Sequence, residues 1–110
     1  MAWEELKETD PELTLSAIGD LSWNVALQVI LGNPTWVSLH WDPAGRRFGI
    51  RRRSSNAGLP VTDGPDGFSI SSSGLVAGLY NGPPVTAAPP DMETVHLTHV
   101  ECQIYYLELP

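Results

Sequence analysis

Residues 37–53 constrain the fold more than any other stretch. Val37, Leu39 and Trp41 alternate with Ser38, His40 and Asp42, a period of two that gives an extended strand one apolar and one polar face. Asp42-Pro43-Ala44-Gly45 then supplies a turn: Asp accepts a backbone hydrogen bond, Pro presets φ, and Gly tolerates positive φ. Phe48 and Ile50 resume the apolar face with Gly49 between them, so the stretch reads as a β-hairpin. The same parity puts Arg47, Arg51 and Arg53 on the polar face, with Arg46 beside the turn. Arg52 falls on the apolar face near the strand end, where its guanidinium reaches water.

The firmest boundary lies just ahead of this hairpin. Ser22 is placed to cap a helix over residues 23–31, and Val25, Leu27, Val29, Ile30 and Leu31 make that helix apolar around much of its circumference, which predicts deep burial. Gly32 adopts the left-handed conformation that ends a helix, and Pro34 prevents its resumption. Upstream, residues 13–18 read as a short strand with Gly19-Asp20 as its turn. Residues 1–12 are acidic and read as irregular or as a short helical turn, with Trp3 and Leu6 towards the domain and Glu4, Glu5 and Glu8 in water.

Downstream, residues 54–67 read as a long loop with a short strand around Val61, and residues 68–70 as a brief strand. Ser71 or Ser72 caps a second helix over residues 73–80, packing through Leu75, Val76 and Leu79. Residues 85–90 are proline-rich and extended. The tail, residues 93–109, reads as one long strand or a bent pair. Its apolar parity shifts between Leu97 and Val100, which marks a bulge or a turn near His99. A strand edge open to augmentation follows, with Glu101 and Glu108 limiting indiscriminate pairing. The predicted fold is α+β: a small mixed or antiparallel sheet or barrel with two short helices, in the order strand, helix, hairpin, strand, helix, strands. Both helices follow a short strand through a serine-bearing link, which hints at a weak internal duplication.

Composition narrows the class. A chain of 110 residues suits one domain, residues 1–110, with one hydrophobic core. The sole cysteine, Cys102, cannot form an internal disulfide, and no apolar run approaches the roughly 20 residues of a membrane-spanning helix. A cytoplasmic protein without membrane contact is the expectation. Thirteen acids against six bases give a net charge of −7, and all the bases except Lys7 are Arg46, Arg47, Arg51, Arg52 and Arg53. Outside residues 46–53 one base stands against 13 acids, a net of −12, which argues against a surface broadly wrapped by nucleic acid.

Residues 13–53, with the helix ending Leu31-Gly32 before Pro34 and the hairpin Val37-Ser38-Leu39-His40-Trp41-Asp42 returning through Arg47-Phe48-Gly49-Ile50-Arg51, resemble the AbrB-like, swapped-hairpin dimerising domains. The likeness is more specific to small uncharacterised bacterial and phage proteins that pair this stretch with a second serine-started element, here residues 68–75. The resemblance implies a dimer. It implies DNA binding through basic residues less strongly, because Asp10, Glu12 and Asp20 stand where DNA-binding members are usually basic.

The five arginines are the candidate partner contact. Arginine's rigid fork favours bidentate pairing, so the arm suits phosphate, an acidic protein or its own subunit, and equally the carboxylates of its own chain. His40 and Asp42 share a strand face, where a carboxylate can orient an imidazole, but no nucleophile accompanies them. His96, His99 and Cys102 have the residue types of a zinc site, yet on one strand His96 and Cys102 lie about 20 Å apart and zinc needs ligands at about 2.0–2.3 Å. Ser71-Ser72-Ser73-Gly74 at a helix start suits either capping or an anion on free N–H groups. Trp3, Trp23, Trp36 and Trp41 are read chiefly as packing, with Trp41 in the core or an interface.

No set of acids, bases and nucleophile converges, and no cofactor is implied. The expected function is a non-enzymatic protein-interaction or assembly module forming a homodimer. The alternative is a DNA-associated regulatory domain contacting phosphate through the arginine hairpin.

Overall fold

The computed structural model describes residues 2–3, 10–54, 58–97 and 99–110. Most of residues 1–12, expected to be irregular or a short helical turn, lies outside them, as do residues 55–57 of the expected 54–67 loop. The described residues form ten strands and two short helices: β1 (Leu13–Leu15), β2 (Leu21–Trp23), α1 (Val25–Ile30), β3 (Trp36–Asp42), β4 (Arg47–Arg53), β5 (Leu59–Pro60), β6 (Thr62–Gly64), β7 (Gly67–Ile70), α2 (Ser73–Val76), β8 (Val85–Ala87), β9 (Asp91–Leu97) and β10 (Val100–Glu108). They make two antiparallel five-stranded sheets, β6-β7-β2-β1-β8 and β5-β3-β4-β10-β9. The protein is small and mixed, and mostly β.

The first sheet begins with a strand that the helix-like apolar content of residues 21–31 conceals. Leu21 and Trp23 are buried on either side of the half-buried Ser22, which is strand periodicity. Their cross-strand partners on β1 are Leu15 and Leu13, and on β7 Ile70 and Phe68. Ser22 is therefore a strand residue, and the cap of α1 is Asn24, whose side chain accepts from Leu27 N at 3.1 Å. The same Asn24 oxygen accepts from Glu12 N at 3.1 Å, and its amide donates to Asp10 O at 2.7 Å. One residue thus starts the helix and holds the segment that leads into β1.

Helix α1 stops as its sequence predicts. Gly32 has φ +85; its N–H donates to Val29 O at 3.0 Å, and Asn33 N donates to Gln28 O at 2.9 Å, the two bonds of a Schellman cap. Its burial differs from the expectation. Leu27 and Gln28 face the interior, while Val25, Val29 and Ile30 are 62%, 59% and 49% exposed. A helix of six residues packed on the core buries one side only, however apolar the rest of its circumference. Gln28 is satisfied inside: its Oε1 accepts from Trp23 Nε1 at 2.7 Å and its Nε2 donates to Pro34 O at 3.0 Å.

The β3–β4 hairpin has the register the sequence predicts, with Trp41 opposite Phe48, Leu39 opposite Ile50 and Val37 opposite Arg52. Val37, Phe48 and Ile50 join Leu13, Leu15, Leu21, Leu27, Ile70, Val76 and Leu107 in one buried cluster drawn from both sheets and both helices. Trp41 packs against that cluster at 4.6 Å from the Phe48 ring centroid. In the turn it is Arg46, at φ +50, rather than Gly45 that takes the positive φ, while Asp42 Oδ1 accepts from Ala44 and Gly45 N.

The tail resolves into the bent-pair alternative, a hairpin of β9 and β10 with Leu97 opposite Val100 and His99 at φ +65 in the turn. Strand β10 is central, paired with β4 as well as β9. The two pairings overlap only at Tyr105 and Tyr106: Glu101 lies where β10 pairs with β9 alone and Glu108 where it pairs with β4 alone, so each keeps an open side, while β9 is the outermost strand of the sheet at this end. The proline-rich segment contributes β8, paired with β1.

Candidate functional site

The hairpin distributes its five arginines over three environments. Arg47 lies on the outer face of the second sheet and is engaged on all sides. Its Nε donates to Asp42 Oδ2 at 2.8 Å, its Nη2 to Glu93 Oε2 at 2.9 Å, and its guanidinium carbon sits 4.3 Å from the Tyr106 ring centroid. The Asp42 bond holds the Arg47 guanidinium further above its usual range. The Arg47 bond, then the Gly45 N–H, holds the Asp42 carboxyl below the usual carboxylate range. This arginine answers its own chain's acids.

Arg46 is exposed at the turn and donates to Pro110 O at 3.2 Å. Arg52 is exposed on the opposite side of the sheet, with its guanidinium against the Gly32 backbone. There it helps line an open cleft of about 620 Å³ between the end of α1 and the β9–β10 hairpin, together with Ile30, Leu31, Val100, Glu101 and Tyr105. Arg51 and Arg53 hold outer-face positions, opposite Ser38 and Trp36 in register, and Arg51 also borders the cleft. Among the described residues the ion pairs are those of Arg47. The arm is thus not one basic surface: one member is neutralised, two more hold outer-face positions, and two point elsewhere.

His40 sits beside that pair. Its Nε2 is 2.7 Å from Ser38 Oγ, and Asp42 is taken by Arg47, so the His40–Asp42 pairing considered from the sequence does not form. Partial burial, followed by the positive charges of Arg51 and Arg53, lowers the His40 pKa below 6.5. Next to His40 the outer face forms a shallow groove of about 270 Å³ with Val95, Leu97, Ile104 and Tyr106 on its wall. Gly49 is its floor: a Cβ there would press on Ile104 Cγ2 and lie 3.3 Å from Tyr105 O.

The serine run has a structural task. Ser72 is fully buried, donates through Oγ to Gly19 O at 2.8 Å and accepts from Leu21 N at 2.9 Å. Its own N–H and that of Ser73 donate to Asp20 Oδ1, each at 3.1 Å. No serine side chain caps α2; the carboxylate of the β1–β2 turn does, and it occupies the N–H groups that an anion would use. His96, exposed on β9, and His99 in the turn do not converge with Cys102, whose Sγ is 3.6 Å from Val95 O. Among the described residues no group of three His, Cys, Asp or Glu is arranged to hold a metal ion, and no helix is long and apolar enough to cross a membrane.

Sequence reasoning missed Glu93 as the second acid on Arg47, Asp20 as the α2 cap and β9 as the edge. Each depends on a pairing across 46 residues or more, or on strand order, for which the local sequence carries no signal. Comparison with protein-family models, curated proteins and solved structures returns no match, so the AbrB-like resemblance draws no support from them.

Proposed function

We propose that the chain is a non-enzymatic interaction and assembly module that works as a homodimer. The observation carrying this reading is the apolar surface left open on the two helices. Val25 and Val29 lie four apart on α1, a spacing that gathers them on one side, and Leu75 on α2 and Leu79 in the turn after it are open as well, all four between 45% and 62% exposed. Ile30 and Val100, also about half exposed, line the cleft. Covering apolar surface releases about 25 cal/mol per Å², and a specific interface covers about 800 Å² on each partner. Meanwhile the interior polar groups serve the fold: among the described residues no buried side-chain N or O lacks a partner. Light scattering at micromolar concentration tests the reading. The expected mass is twice 12.0 kDa, and a clean monomer overturns it.

A DNA-associated role is the second reading, and the outer-face positions of Arg51 and Arg53, the latter opposite Trp36, favour it. Two phosphate contacts give a salt slope of only about −1.8, so binding would be weak per domain and doubled in a dimer. Arg51→Glu with Arg53→Glu should abolish a mobility shift at about 50 mM salt while leaving the dimer intact. Absence of any shift with the unaltered protein removes this reading.

A further inference from the structure

The geometry points to β9 as the strand through which two copies join, antiparallel, with the two-fold axis at Thr94. This placement rests on the homodimer reading and adds where the second copy docks. Strand β9 ends its sheet, and among the described residues its strand partner is β10 alone. Residues 91–94 are exposed throughout, and residues 95–97 are exposed or half-buried. Edges of this kind are templates for another strand.

The direction of its backbone groups follows from one contact. Cys102 lies opposite Val95, and its Sγ donates to Val95 O at 3.6 Å, so the Val95 carbonyl faces β10. Antiparallel pairs alternate between hydrogen-bonded and non-bonded; Asp91, Glu93, Val95 and Leu97 therefore bond inward. Met92, Thr94 and His96 turn their N–H and C=O groups to the open side.

Charge then selects the register. With the axis at Thr94 all seven residues pair, and Asp91 meets Leu97, Met92 meets His96 and Glu93 meets Val95 of the second copy. The outward groups of Met92, Thr94 and His96 face their counterparts and form about six N–H···O bonds across the axis. Moving the axis to Glu93 sets that carboxylate opposite its own copy, and moving it to Met92 sets Asp91 opposite Glu93; like charges directly opposite are unfavourable. Moving it towards the turn gives up two residue pairs for each step. Among self-pairings of β9 the acids at one end thus favour this register, in which the β9-edged sheets of the two copies become one of ten strands.

Two variants test the interface. Thr94→Cys in a Cys102→Ser background should give a disulfide-linked dimer on mild oxidation, because hydrogen-bonded antiparallel partners lie about 5.5 Å apart at Cα, within disulfide reach. Asp63→Cys, on the exposed edge strand of the other sheet, should stay monomeric on the same non-reducing gel. Thr94→Pro removes one outward N–H per chain, a change an edge strand tolerates, and should weaken dimerisation by about tenfold or more. Far-UV circular dichroism reports whether it folds; if it does not, the cysteine pair decides alone. A dimer by light scattering that neither cross-links at Thr94 nor weakens with the proline overturns this interface and leaves the homodimer standing. Equal cross-linking through Asp63→Cys also overturns it. A monomeric wild-type protein overturns both.

Discussion

Replacing Ser72 with alanine is the most informative single change to the fold. The hydroxyl of Ser72, at the N-cap of α2, bridges the Gly19 carbonyl and the Leu21 N–H at 2.8 and 2.9 Å, and the site is closed to water. Alanine keeps the backbone N–H on Asp20, so only the hydroxyl is lost. It leaves one buried donor and one buried acceptor without partners, each worth about 1–3 kcal/mol. After partial relaxation the expected loss is about 2–4 kcal/mol, out of a total stability of about 5–15 kcal/mol for a domain of this size. With a urea m value of about 1.5 kcal/mol per molar, the unfolding midpoint should fall by about 1.3–2.7 M. Protein concentration must be held fixed, because any dimer couples to the midpoint by mass action. Ser71→Ala, one residue earlier and exposed, should change stability by less than about 0.5 kcal/mol. If both variants lose the same small amount, Ser72 does not clamp the β1–β2 turn to α2.

Three further expectations follow from the site and the caps. Asn24→Ala should cost about 1–2 kcal/mol in thermal or urea unfolding, since it removes the α1 cap and both bonds to residues 10–12; a loss no larger than that of a surface substitution would contradict the dual role. The His40 imidazole should titrate below 6.5 by NMR, and Arg51→Ala with Arg53→Ala should move its midpoint back up. Because its folded pKa is depressed, the unfolded chain binds the proton more readily. The histidine's contribution is full above pH 6.5 and declines as pH falls towards the folded value; a midpoint at or above 6.5 refutes this. Arg47→Met should lower the melting temperature, and the deficit should shrink at about 1 M salt, where screening acts within about 3 Å, because Asp42 and Glu93 supply its ion pairs. A deficit unchanged by salt would assign the effect to the Tyr106 contact instead.

Local patterns were legible in the chain wherever the physics is local. The alternation of Val37, Leu39 and Trp41 with polar residues, broken by Asp42-Pro43, determines the β3–β4 hairpin and its register, because side-chain parity and turn φ depend on neighbours alone. Gly32 before Pro34 determines where α1 ends for the same reason. The parity shift at residues 97–100 marks the β9–β10 turn. Leu21-Ser22-Trp23 misleads because a three-residue strand and the start of an apolar helix carry the same few residues, and only its pairing between β1 and β7 distinguishes them.

The arginine arm divides along the same line. Sequence parity alone places Arg47, Arg51 and Arg53 on one face and Arg52 on the other. Which of them are spent on the fold is tertiary: Glu93 reaches Arg47 only because β10 lies between β4 and β9. Likewise Asp20 caps α2 from 53 residues away, and β9, with its acids at one end, becomes the open edge. Periodicity is a property of a segment, whereas strand order and the partners of a charge follow from how the whole core closes.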